Sequence, residues 1–136
     1  MGLTFEVPGE PRGKGRHRFS NGHAYTDSET NAYEKKIIAY YRKALGGFRW
    51  PDGAYIRIKV TAHYPIPKSA TKAATASMQS GKMLPVRKPD IDNVLKVVLD
   101  ALNGVAYKDD SHVVCVEAEK VYSQTPKLVI EMKGSE

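Results

Sequence analysis

The chain alternates between two hydrophobic periods. Leu3-Thr4-Phe5-Glu6-Val7 places apolar residues at every second position and stops at Pro8-Gly9, which predicts a first strand with one buried face. Tyr33, Ile37, Tyr40, Tyr41 and Ala44 recur at helical spacing; Asp27 or Ser28 can cap that helix near Glu29, and Gly46-Gly47 ends it. Period two returns over Tyr55 to Tyr64, a long strand closed by Pro65 and Pro67. Ser69 to Met78 is alanine-rich and weakly helical, and a basic connection from Ser80 to Lys88 follows it. The segment Asp90 to Asn103 is the most apolar helix: Val94, Leu95, Val97, Val98, Leu99, Ala101 and Leu102 leave it little polar surface. After Gly104 and a short turn, His112 to Tyr122 and Lys127 to Met132 read as two closing strands.

The resulting order is strand, helix, strand, helix, helix, strand, strand, with no internal repeat and no linker. It predicts a single α+β domain over residues 1–136, a mixed β-sheet with helices packed on it. A chain of 136 residues can bury a core without disulfide or metal staples, and only Cys115 is present, so no internal disulfide can form.

Charge narrows the choice of partner. Lys and Arg number 21 against 15 Asp and Glu, a formal +6, which favours polyanions. A membrane partner is disfavoured, since no apolar stretch approaches the roughly 20 residues of a bilayer span. Residues 1–20 also lack the basic head and apolar middle of a signal peptide, so a cytoplasmic protein is expected. The cations Arg12, Lys14, Arg16, Arg18, Lys68, Lys72, Lys82, Arg87 and Lys88 form the expected phosphate-binding set. The first four lie in a glycine- and proline-broken run that reads as an exposed loop. Gly13-Lys14-Gly15 lacks the rest of a nucleotide-binding loop, so no nucleotide cofactor is expected, and the four histidines are too scattered for zinc.

The chemistry concentrates in Lys88-Pro89-Asp90-Ile91-Asp92-Asn93-Val94-Leu95-Lys96. Asp90 and Asp92, one residue apart at a helix start, repel each other unless a cation or a proton lies between them. Magnesium suits such a pair, because it takes hard oxygen ligands and keeps several waters for substrate phosphate. Lys96 and Asp100 follow Asp92 at i+4 and i+8 and share its face. Asp109 and Asp110 lie between Gly104 and the next strand, where one of them could return to the pair. Each fragment also has an ordinary reading: an N-cap, an i,i+4 ion-paired surface, an acidic turn.

Taken together, these residues, with Leu99-Asp100-Ala101-Leu102-Asn103-Gly104 and Tyr107-Lys108-Asp109-Asp110-Ser111-His112-Val113, strongly resemble the central signature of the RusA-like Holliday junction resolvases. Looser similarity extends to the basic N-terminal segment, Pro67-Lys68-Ser69 and Lys120-Val121-Tyr122. The resemblance implies a homodimeric endonuclease of phages and prophages, serving DNA recombination and repair. It implies dependence on Mg²⁺, with Mn²⁺ as a substitute, and paired nicks in four-way or branched DNA. Carried over by motif, Asp90 and Asp92 match the first two essential acids, Lys96 the essential lysine and Asp110 the third acid, with Asp109 as its neighbour in the metal set. Two rivals remain: a non-catalytic branched-DNA or RNA-binding module, and a structural phage component whose acids form only ion pairs.

Overall fold

The computed structural model describes residues 2–15, 18–20, 23–25 and 28–135, the two short stretches as backbone only. β1 (Gly2–Pro8) leads into an irregular strap and a small hairpin, β2 (Arg18–Ser20) and β3 (His23–Tyr25). There follow α1 (Ser28–Leu45), β4 (Tyr55–Pro65), α2 (Lys72–Ser80), α3 (Ile91–Leu102), a single 3-10 turn (Asp110–His112), β5 (Val113–Ser123) and β6 (Lys127–Ser135). This is the expected order, with one hairpin added where alternation over three residues gives no signal. The expected helix over 69–78 is displaced, since Thr71 provides the cap by accepting from the Ala74 amide and Gly81 ends the helix at φ 83°.

The main sheet has the order β1-β6-β4-β5, with β4–β5 parallel and the other pairs antiparallel, so it is mixed as expected. α1 and α3 pack against each other over one face of it. Tyr33, Ile37 and Tyr41 of α1 and Val94, Val97, Val98, Ala101 and Leu102 of α3 close on Ile56, Ile58, Val60, Ala62, Leu128 and Ile130. Trp50, expected as a packing residue, is buried under Gly134, where an added Cβ would stand 2.3 Å from the indole.

α2 and α3 both reach β5, where Val113 and Tyr122 pack against the core, but they leave part of its apolar face uncovered. Val116 pairs in register with Ile58, which is 2% exposed, yet Val116 itself is 43% exposed, and the neighbouring Val114 is 53% exposed. β5 is an edge strand of eleven residues with no fully buried position. Charged Glu117, Glu119 and Lys120 follow along the same strand, so the exposed apolar surface of this edge is confined to Val114 and Val116. Among the described residues, no helix is long and apolar enough to cross a membrane.

Candidate active site

Asp90 stands at the start of α3, on a loop that three contacts hold in place. The Tyr64 hydroxyl, at the end of β4, donates to the Pro89 carbonyl at 2.5 Å. Lys120 of β5 donates to the Arg87 carbonyl at 2.5 Å while its ammonium lies 4.8 Å from the centre of the Tyr64 ring. The Arg87 guanidinium stacks over the same ring at 5.6 Å. Tyr64 is 1% exposed, and burial pushes its phenol up to about 12, so it remains a donor. One buried aromatic thus ties the sheet to the basic residues that precede the acid pair.

The ordinary readings of the acid pair do not hold. Asp90 occupies the N-cap position of α3 but makes no capping bond. Its carboxylate instead receives the Lys88 ammonium, 2.8 Å from Oδ1 and 2.9 Å from Oδ2. Lys88, with Lys120 behind it, holds the Asp90 carboxyl below the usual carboxylate range. Asp92 and Lys96 are exposed, and among the described residues neither side chain has a hydrogen bond or ion pair. The Asp92-Lys96-Asp100 face is therefore no ion-paired ladder.

Asp100 is taken by the N-terminal strap. Lys14 reaches Asp100 Oδ2 and Glu34 Oε2, each at 3.0 Å, with its own side chain 15% exposed. Burial alone would lower its pKa, but the hydrogen bonds to Asp100 and Glu34 prevail and raise it above 10.5. The backbone follows, with the Lys14 amide donating to Asn93 O at 2.9 Å. Lys14 was expected in an exposed loop; instead it is a clamp between α1 and α3, because two carboxylates on adjacent helices need a shared cation.

The third acid lies at the other end of the helix. Tyr107, buried, donates to the Leu99 carbonyl at 3.1 Å. Burial raises its phenol pKa, and so do the nearby charges of Asp110, Asp100 and Asp109. Asp110 thus sits beside the last turns of α3, while Asp90 precedes the first. Ten residues of helix separate Asp90 from Asp100, an axial rise of about 15 Å. Among the described residues, no three His, Cys, Asp or Glu side chains gather closely enough to hold a metal ion. Asp109 and Asp110 also differ. Asp109 accepts from the Ser111 amide at 3.1 Å, and the Ser111 hydroxyl and amide hold its carboxyl below the usual range. Asp110 has no such side-chain partner among the described residues.

Of the expected phosphate-binding set, Arg12, Lys68, Lys72, Lys82, Arg87 and Lys88 are exposed. Arg16 and the side chain of Arg18 lie outside the described residues, as does Asp27, one of the two caps expected for α1. Sequence reasoning gave no role to Tyr64, Lys120 or Tyr107. Lys120 was visible only as part of the wider resemblance, and Tyr64 only as the last apolar position of a strand.

Comparison with known proteins decides the family. The profile described as Endodeoxyribonuclease RusA matches residues 8–133. The chain belongs to the RusA endodeoxyribonuclease family. It is also similar to the "Uncharacterized protein YqaN" of Bacillus subtilis (strain 168), 34% identical over 136 residues that cover 96% of this chain and 95% of that protein. The family match takes in both ends of α3, the strap and β5, so the contacts of this site lie within the RusA-like region.

Proposed function

We propose that this RusA-family chain is a Mg²⁺-dependent endodeoxyribonuclease that nicks opposing strands of four-way junctions and other branched DNA, working as a homodimer. The observation that carries this reading is that neither acid at the start of α3 is used to cap the helix or to pair along its face. Asp90 makes no capping bond, and among the described residues its side chain pairs only with the Lys88 ammonium of the adjoining loop, while Asp92 has no partner.

These residues suit a divalent ion. Asp90 and Asp92 offer hard carboxylate oxygens, and one or two carboxylates with substrate phosphate are a usual Mg²⁺ ligand set. The Lys88 ammonium marks the cation-seeking edge of Asp90. When bound, Mg²⁺, or Mn²⁺ in its place, would lower the pKa of a water that attacks the phosphodiester. The protein's own part is to orient and neutralise. Lys96, unpaired one turn from Asp92, stabilises charge on the reacting phosphate, and Lys88 is free to move to a neighbouring phosphate once Asp90 has another partner.

Asp110 completes the ligand set from a second copy. Within one chain it stands at the far end of α3 from Asp90, and the edge strand β5, which begins three residues after Asp110 and exposes Val114 and Val116, offers a surface for self-association. Asp110 is preferred to Asp109, whose carboxylate is occupied by Ser111.

The test is nicking of a synthetic four-way junction and a linear duplex of the same sequence, with Mg²⁺ and with chelator. Symmetric nicks in the junction that vanish with chelator are expected. Binding without cleavage under all metals would instead identify a non-catalytic module.

A further inference from the structure

The connection from α2 to α3 carries an apolar tip between cations. Six large apolar side chains are exposed among the described residues, and three of them, Met83, Leu84 and Val86, fall within four consecutive positions. Val86, at 97%, is the most exposed of the six. Single exposed hydrophobics are ordinary on a protein surface, but a cluster of them marks a contact surface. The cluster is also held in place. Pro85 is buried between Leu84 and Val86. The Met83 amide donates to the Ser77 carbonyl at 3.0 Å, and the Arg87 carbonyl accepts from Lys120. One side of the tip is thus pinned to α2 and the other to β5, so little ordering is left to be done on binding. Lys82 on one side and Arg87 and Lys88 on the other are exposed, which calls for a ligand that is anionic around an apolar centre. An opened base step has that form, with phosphates outside and base faces within.

We propose that Leu84 and Val86 form a wedge that enters an opened base step at the branch point, and that this wedge supplies the preference for branched over linear duplex DNA. The inference rests on the branched-DNA reading for its ligand but not on cleavage. Val86 precedes Asp90 by four residues, at most about 14 Å of extended chain, which places the opened step within about four stacked base steps of the acid pair. An intact duplex must be unstacked before it admits two apolar side chains. At a crossover the stack is already interrupted, so the same burial is reached at less cost. That difference converts an apolar contact into selectivity for shape, while the flanking cations hold junction and duplex alike.

The experiment uses a four-way junction carrying 2-aminopurine, which brightens on unstacking, at each crossover position in turn, and a linear duplex of the same sequence, both without metal. Wild type should brighten at least one crossover position and leave the duplex dark. Leu84→Ser/Val86→Ser should lose most of that rise and bind the junction about fivefold to tenfold more weakly, with duplex affinity within about twofold of wild type. Its salt slope should not change, because no cation is lost. Leu84→Met/Val86→Ile keeps the apolar character and should behave as wild type; both variants should melt with wild type, since both positions are exposed. A rise and a junction preference that survive in the serine variant overturn the wedge, as does equal weakening on junction and duplex. A serine variant that sediments as a smaller species overturns it as well and assigns the tip to contact between copies. Junction nicking without any brightening would remove the wedge and keep the nuclease reading, whereas brightening by a protein that never nicks would do the reverse.

Discussion

Gly13 has no side chain at the point where the strap crosses α3, and a Cβ there would meet Asn93 Cβ at 2.9 Å and Pro89 Cβ at 3.0 Å. Gly13→Ala should therefore push the strap off the start of α3 and cost about 1–3 kcal/mol in urea unfolding. Next to it, Lys14→Met leaves Glu34 and Asp100 without their shared cation and should cost about 1–3 kcal/mol. The sign with pH follows from the raised folded pKa of Lys14: the stabilisation is complete below 10.5 and is lost as pH rises through the higher folded value. Urea midpoints of wild type and Lys14→Met should accordingly converge above that pH. Since Lys14 is committed to two carboxylates, Lys14→Met should leave the salt dependence of junction binding nearly unchanged, whereas Lys88→Ala should reduce its slope by about 1. Equal effects of the two variants on that slope would return Lys14 to the DNA surface.

At the scale of elements, the start of α3 depends on β4 and β5 through Tyr64 and Lys120. Tyr64→Phe removes the donor to Pro89 O and should lower the nicking rate more than junction affinity, read as a fall in kcat at nearly constant KM. A fall in affinity alone would make Tyr64 a DNA contact and not a support. On the opposite sheet face, burial and the Lys127 charge push His63 below its usual 6.5, and its Nδ1 has no hydrogen-bond partner among the described residues. Its contribution is present above 6.5 and lost as pH falls through the lower folded value, so urea midpoints should decline on the acid side, less so in His63→Gln. These elements show what was readable in the residues. The four strands of the main sheet, the three helices and the buried stripe of α3 follow from periods of 2 and 3.6, which are local. The acid pair is local too, and so is its match to a known signature. The partner of Asp100 is not, because Lys14 is 86 positions away and glycine on both sides of it suggests only exposure. The distance from Asp90 to Asp110 was equally hidden: twenty residues fix neither the direction of α3 nor the turn after it.

For the whole molecule, the separation of the acids along α3 is what the proposed homodimer would bridge. If Asp110 comes from the second copy, mixing inactive Asp90→Asn and Asp110→Asn chains should restore nicking of one strand. The mixed dimer then has one site with all its acids and one with neither Asp90 nor Asp110. No recovery after subunit exchange would place all the ligands within one chain. The claim on which everything else depends is that Asp90 acts on the phosphodiester and does not merely support the fold. The direct measurement is single-turnover nicking of a labelled four-way junction in Mg²⁺ by wild type and Asp90→Asn, at concentrations where both are fully bound. The variant should bind as tightly as wild type or more so and cut at least a thousandfold more slowly, about 4 kcal/mol of lost transition-state stabilisation. Nicking by Asp90→Asn within a few fold of wild type would contradict the account.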